Sequence, residues 1–134
     1  MTDGGAPPFD GYERLDSRSP FVNHAGAFFI RKGEDGSVRI AAQVGEVQSN
    51  AEGYVHGGFL LTFVDFALSI ATMGITLNLA ADFLRPARIG DWLEAHITIR
   101  KRSSAVIFAE ALVFCGGEPL LRANGLFRPF EKRT

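Results

Sequence analysis

The segment NAEGYVHGG, residues 50–58, leads directly into FLLTFVDFALSIATM, residues 59–73, and these two stretches decide the fold. Most residues of the second stretch are apolar, and they include the aromatic side chains of Phe59, Phe63 and Phe66. A helix that is apolar on most of its sides has to be buried on most of its sides. The run therefore predicts one central helix surrounded by the rest of the domain.

Asp65 is the only acidic residue in this apolar run. An ionised carboxylate in an apolar helix is costly unless the group is paired or has a chemical task. Two interpretations are open at this point. Asp65 either lies at a local edge of the helix, where it meets solvent or a basic partner, or it serves a chemical role.

Composition narrows the class of protein. A chain of 134 residues fits one domain that buries roughly two-thirds of its unfolded surface. The net charge of −1 supplies no basic field, so nucleic acid is not expected as a partner. The single cysteine, Cys115, excludes an internal disulfide and lies in an apolar strand-like run, which predicts a buried, inert thiol. The sequence contains no Cys/His cluster of the kind that binds a metal. Ser69 does not lie in the G-x-S-x-G motif of a serine nucleophile. No cofactor is expected.

Neither the N-terminus nor the apolar run has the pattern of a targeting or membrane-spanning segment. The N-terminus has neither the basic nor the apolar region of a signal peptide. Its glycines and prolines predict a mobile arm over residues 1–20, followed by a single domain over residues 21–134. The run at residues 59–73 is too short to span a membrane. We therefore expect a soluble, cytoplasmic protein with no membrane partner.

Strand-like runs flank the predicted helix on both sides. Residues 27–32 and 37–44 surround a Gly/Asp-rich turn and predict a β-hairpin. Gly74 is predicted to end the helix. Four further strand-like runs follow it, at residues 75–84, 92–101, 105–115 and 120–130. The order β-β-α-β-β-β-β predicts an α+β domain in which an antiparallel sheet packs around one long helix.

Gly57 and Gly58 fall in the first turn of the helix, where backbone N–H groups have no intrahelical partner. Glycines let a ligand approach these groups closely, and the helix dipole adds partial positive charge, so the end suits a developing oxyanion on an acyl carbonyl. Asp65 lies eight residues beyond Gly57, roughly 12 Å along the axis. Either the substrate spans this gap, or Asp65 acts with the helix start of a second subunit. His56 either caps the helix or takes part in the site.

Two motifs carry a resemblance to a known family. The first comprises Asn50, Gly53, His56-Gly57-Gly58 and Asp65, and the second is Phe83-Leu84-Arg85-Pro86-Ala87 followed by Gly90-Asp91. Over about residues 20–130 the chain resembles the hotdog-fold acyl-CoA thioesterases, and specifically the phenylacetate-pathway (PaaI-type) group of the 4-hydroxybenzoyl-CoA thioesterase-like superfamily. The resemblance implies the hotdog fold, whose element order is the one predicted above.

The resemblance also implies a role for each matching residue. Asp65 matches the acid that acts as general base on water or as nucleophile. Gly57 matches the glycine whose N–H polarises the thioester carbonyl, and His56 the histidine that orients the thioester. Asn50 matches an asparagine that helps position substrate or water. Thr76 falls where related enzymes place a Ser or Thr that helps hold the attacking water. In this family one subunit supplies the acid and its neighbour the helix start, which implies a dimer with one continuous sheet or a tetramer.

The remaining candidates concern binding of coenzyme A. Basic residues lie at the predicted strand ends and connections, namely Arg85, Arg88, Arg100, Lys101 and Arg102. They form a solvated rim, or they bind the phosphates of coenzyme A, because Arg forks match phosphate geometry. Gly58, Arg85, Arg88 and Arg102 are the predicted substrate-binding residues. The helix phenylalanines either line an acyl pocket or are plain core.

The function most consistent with these features is hydrolysis of an acyl-CoA to the free acid and coenzyme A. The alternative on the same fold is a non-catalytic acyl-CoA binding module. A hydratase or dehydratase would carry a different arrangement of acid and histidine on the helix, and the start His56-Gly57-Gly58 argues against it.

Overall fold

The computed structural model describes residues 5–130, and within them the chain forms seven strands and two α-helices. In chain order these are β1 (Glu13–Leu15), α1 (Pro20–Ala25), β2 (Phe28–Lys32), β3 (Val38–Gln43), α2 (Gly57–Thr72), β4 (Gly74–Phe83), β5 (Trp92–Arg102), β6 (Ile107–Cys115) and β7 (Glu118–Pro129). A short 3₁₀ turn, Glu46–Gln48, lies in the loop before α2. None of the described helices is long and apolar enough to cross a membrane.

All seven strands belong to one antiparallel sheet, in the order β1-β2-β3-β5-β6-β7-β4. Helix α2 packs against strands β3 to β7, and Phe28 of β2 also reaches it, so the sheet curves around the helix. Strand β4 follows the helix directly and pairs with β7 at one end of the sheet. The predicted α+β architecture, with an antiparallel sheet around one long helix, is confirmed.

The core lies between α2 and the concave face of the sheet. Phe63, Val64, Ala67 and Leu68 of α2 are fully buried, as expected for a helix that is apolar on most sides. Phe28 of β2 stacks on Phe63, with 6.1 Å between ring centroids. Burial of each such large side chain contributes about 1.5–3 kcal/mol, so this layer accounts for much of the driving force for folding. The helix phenylalanines are therefore mainly core residues.

The end of α2 differs from the prediction. The helix ends at Thr72, and Met73 adopts the left-handed conformation that closes it, with φ 53° and ψ 48°. Gly74 is the first residue of β4, so its prediction as helix terminator is wrong. A Cβ at Gly74 would lie 3.0 Å from the carbonyl oxygen of Arg128, and this close approach of β7 explains the glycine.

The N-terminal segment contributes to the sheet. Within the predicted mobile arm, β1 pairs with β2 at the end of the sheet opposite β4, with Arg14 opposite Phe29. The hydroxyl of Tyr12 donates to Glu94 Oε2 on β5 at 2.6 Å. Residues 1–4 lie outside the described residues, and the mobility of the arm stays a prediction.

Candidate active site

Asp65 and Thr76 meet at the edge of α2. The Thr76 hydroxyl donates a hydrogen bond to Asp65 Oδ1 at 2.5 Å, and both side chains are half-buried. Met73 makes this contact possible because its left-handed turn sends β4 straight back along the helix. One carboxylate oxygen is thereby held in place, and the other is not used by this bond.

At the other end of the site, His56 caps the start of α2. Its Nδ1 accepts a hydrogen bond from the Gly58 N–H at 2.8 Å. An accepting Nδ1 carries no proton, so the neutral ring has its proton on Nε2. The ring engages Gly58 rather than Gly57, and within residues 5–130 the Gly57 N–H has no hydrogen-bond partner. A donor with partial positive charge is therefore available at the helix start.

The loop before α2 is built on Asn50. Its Oδ1 accepts from the N–H groups of Glu52 and Tyr54 at 3.0 and 3.1 Å, a local arrangement that shapes the turn. The loop continues to Val55, whose N–H bonds the carbonyl of Ala87 at 2.8 Å. Asn50 is thus exposed near the helix start as a loop-shaping residue, and its side chain makes no hydrogen bond to the predicted site residues of the described chain.

The predicted arginines occupy three different places. Arg88 is exposed beside the loop before α2, where its guanidinium lies 4.9 Å from the Tyr54 ring centroid and donates to the Tyr54 hydroxyl at 3.3 Å. Arg85 donates to the carbonyl oxygens of Cys115 and Glu118, and its Nε is buried without a hydrogen bond in the described structure. Arg102 donates to the Thr72 carbonyl at 3.1 Å, at the end of α2 opposite Gly57. Only Arg88 of these three is both exposed and next to the helix start.

Two grooves open beside these residues. The first, called here the Asp65 groove, has a volume of about 420 Å³ and is mostly apolar; its lining includes Phe21, Val22, Leu61, Asp65, Phe66 and Leu79. The second, called the His56 groove, has a volume of about 370 Å³; its lining includes Phe21, His24, Val47, His56, Gly58 and Thr62. The sequence pattern did not predict Phe21, Val22 or Leu79 as site residues, because nothing in their spacing relates them to Asp65.

Other reactive groups do not compete with Asp65. Burial raises the pKa of the Cys115 thiol, which agrees with an inert core cysteine. His96 bonds Glu94 and lies away from the helix start on β5. Within residues 5–130, no group of three or more His, Cys, Asp or Glu side chains is arranged to hold a metal ion.

In one chain the two halves of the site are separated along the helix. Gly57 and Asp65 lie on the same α2 helix, eight residues and roughly 12 Å apart. A single carbonyl cannot contact the Gly57 N–H and the Asp65 carboxylate of the same chain. The separation predicted from the sequence therefore holds in the structure.

Comparison with known proteins adds the family. Residues 52–121 match the model of the thioesterase superfamily. The chain belongs to this superfamily. A curated protein of Pseudomonas aeruginosa, named "Putative esterase PA0474", is 32% identical over 126 residues, which cover 88% of this chain and 94% of that protein. The superfamily match at residues 52–121 includes Gly57, Asp65 and Thr76.

Solved structures of similar proteins have the same fold. The Escherichia coli PaaI protein, from the phenylacetic acid degradation operon, superimposes with a TM-score of 0.76 at 20% identity, covering 85% of this chain and 86% of that one. The smu.793 protein of Streptococcus mutans, bound to acetyl-CoA, superimposes with a TM-score of 0.71 at 16% identity, covering 96% of each chain. The predicted hotdog fold is confirmed.

Proposed function

We propose that this thioesterase-superfamily protein hydrolyses an acyl-CoA to the free acid and coenzyme A. The observation that carries the proposal is the Asp65–Thr76 pair, a carboxylate held by a hydroxyl at the side of an apolar groove. In this reaction Asp65 removes a proton from a water molecule, whose oxygen adds to the thioester carbonyl carbon. The C–S bond then breaks, and the thiolate of coenzyme A leaves and takes up a proton.

The Gly57 N–H supplies the second part of this chemistry. It donates to the carbonyl oxygen as negative charge develops there, while His56 fixes the helix start by accepting from Gly58. One such donor contributes about 10²–10³-fold to the rate, and general-base assistance about 10²–10⁴-fold. A thioester is activated enough to need no Ser-His-Asp arrangement.

The two parts come together in a homodimer. Strand β4 ends the sheet and has no neighbour on its far side within the described residues, although Ile75, Leu77 and Phe83 are exposed along it. An edge of this kind is suited to pairing with a second copy. Two-fold pairing through β4 makes the two α2 helices antiparallel and moves Gly57 of one subunit toward the partner's Asp65. Further association to a tetramer is compatible with this arrangement.

Binding of coenzyme A is assigned to the exposed rim near Gly57 and Gly58. Arg88 lies there, held against Tyr54, and its guanidinium fork matches a phosphate. Support for coenzyme A as the carrier comes from the Streptococcus mutans protein of the same fold, which was solved with acetyl-CoA bound. Arg85 and Arg102 already bond backbone carbonyls, so they are weaker candidates than Arg88.

The test is thiol release from a panel of aryl-, short-, medium- and long-chain acyl-CoAs. We expect wild type to turn over at least one of them and Asp65→Asn to lower kcat by at least about 10²-fold. Asp35→Asn is the matched control, because Asp35 is an exposed acid in the turn between β2 and β3, where Asn also suits the turn. Turnover by Asp65→Asn at the wild-type rate would remove Asp65 from the mechanism. Tight acyl-CoA binding by a folded wild type without any turnover would favour the non-catalytic binding module.

A further inference from the structure

Phe21 is an unusual residue for a helix that packs on the core. Its side chain is 67% exposed, whereas the next residue, Val22, packs against the core. The exposed ring lines both the Asp65 groove and the His56 groove. The Phe21 ring is therefore a wall that the two grooves share.

Helix α1 holds this ring in a fixed place. Pro20 occupies the first turn, and the Ser19 hydroxyl oxygen accepts from the Val22 N–H at 3.3 Å. At its other end, Gln48 Nε2 donates to the Ala25 carbonyl at 2.6 Å. The backbone carbonyl of the same Gln48 accepts a hydrogen bond from the His56 N–H at 2.7 Å. Gln48 therefore connects α1 with the start of α2.

The Asp65 groove has the size and polarity of an acyl site. Its volume of about 420 Å³ is near the lower end of the roughly 300–1,000 Å³ typical of ligand sites. Phe21, Val22, Leu61, Phe66 and Leu79 give it an apolar lining, and Asp65 is its one carboxylate. An acyl group bound in this groove would place its thioester carbonyl carbon beside the Asp65 carboxylate. A long chain would extend past the groove and meet the Phe21 ring.

We propose that the acyl group of the substrate occupies the Asp65 groove and that Phe21, the wall shared with the His56 groove, selects aryl and medium-chain acyl groups over long chains. This inference rests on the proposed function, because it assigns the substrate class of the same site. Phe21 is a specificity-determining residue that touches the acyl group. It takes no part in proton transfer.

The experiment compares Phe21→Ala and Phe21→Trp with wild type on the acyl-CoA panel. Phe21→Ala is expected to raise the ratio of kcat/KM for long-chain over medium-chain acyl-CoAs by about tenfold, because the wall is removed. Phe21→Trp is expected to shift the preference toward shorter acyl groups. Phe108→Ala is the matched control, since Phe108 is a partly exposed phenylalanine on β6 that lines neither groove.

Failure of this inference and failure of the proposed function are separate outcomes. An unchanged ratio in both Phe21 variants, with normal wild-type turnover, overturns the role of Phe21 and leaves the hydrolase intact. A change of oligomeric state without a change of ratio overturns it as well, because Phe21 then contacts another copy of the chain. If wild type hydrolyses nothing, the same ratio is measured as Kd with non-hydrolysable thioether analogues. A shifted Kd ratio supports the wall, and an unshifted one overturns it.

Discussion

The carboxylate of Asp65 is the one acid in an otherwise apolar stretch of α2, and its surroundings explain how the helix accommodates it. It is half-buried at the side of a groove, and its partner is the Thr76 hydroxyl rather than a basic side chain. The acid lies at an edge of the helix, as one interpretation of the sequence predicted, and its chemical role stays a prediction. The sequence predicted Asp65 and the start of α2 as parts of a candidate site. It did not predict the contact between Asp65 and Thr76, which depends on the left-handed turn at Met73.

Gly57 allows a substitution that removes its N–H while keeping the helix. Proline is favoured at the first helical position, and His56 before it has φ −72° and ψ 134°, a conformation compatible with a following proline. We expect Gly57→Pro to fold normally and to lower kcat by about 10²–10³-fold, because the oxyanion donor is lost. Thiol release and circular dichroism measure the two effects.

Gly57→Ala is the control for this substitution. A Cβ at Gly57 would meet the Phe83 ring at 3.6 Å, an ordinary contact, and the N–H is retained. We expect the alanine variant to retain much more turnover than the proline variant, because its Cβ narrows the approach of the ligand but the N–H donor is kept. Equal losses in the alanine and proline variants would show that space at Gly57, and not its N–H, is what matters.

At the scale of elements, the strands with clear alternation were predictable and the short strand β1 was not. Strand β5 alternates between half-buried and buried positions at its start, in step with the alternation of polar and apolar residues that predicted it. Strand β1 has only three residues, too few to show any period. Its attachment also depends on contacts between Tyr12 and Glu94, which are 82 residues apart in the chain and cannot be found by local pattern.

The Tyr12–Glu94 hydrogen bond is expected to anchor the N-terminal segment on β5. Burial raises the pKa of Tyr12 above its ordinary value, and the hydrogen bond to Glu94 raises it further. Burial also raises the pKa of Glu94, but hydrogen bonds from Tyr12 and His96 outweigh this, so the pKa of Glu94 is lowered overall. Tyr12→Phe should lower the free energy of unfolding by about 1.5 kcal/mol, the contribution of a hydrogen bond to a charged group. Chemical denaturation at fixed protein concentration measures it.

The pH dependence of this loss has a defined sign. A lowered pKa of Glu94 stabilises the fold above the ordinary value of 4.5, and this contribution disappears as pH falls through the lowered pKa. A raised pKa of Tyr12 stabilises below the ordinary value of 10.0 and is lost above it. The effect of Tyr12→Phe should therefore be constant between these values and shrink outside them. A double-mutant cycle with Glu94→Gln that shows no coupling would contradict the anchor.

At the scale of the whole molecule, a single chain contains every part of the proposed site but not the assembled site. Helix α2 separates Gly57 from Asp65 by two turns, and pairing with a second copy in the proposed homodimer would remove this separation. The sequence predicted this gap from residue spacing alone. It could not predict β4 as the proposed pairing edge, because the exposure of Ile75, Leu77 and Phe83 on β4 follows from the sheet order.

The most direct test of the composite site is to mix two inactive variants, Asp65→Asn and Gly57→Pro, by co-expression. In a hybrid dimer, one site combines the intact Gly57 of one subunit with the partner's intact Asp65. Equal mixing makes half of the dimers hybrid, each with one intact site of two, so the mixture should recover about a quarter of wild-type turnover. Thiol release no higher than that of either variant alone, from a mixture shown to contain hybrid dimers, would contradict a site shared between subunits.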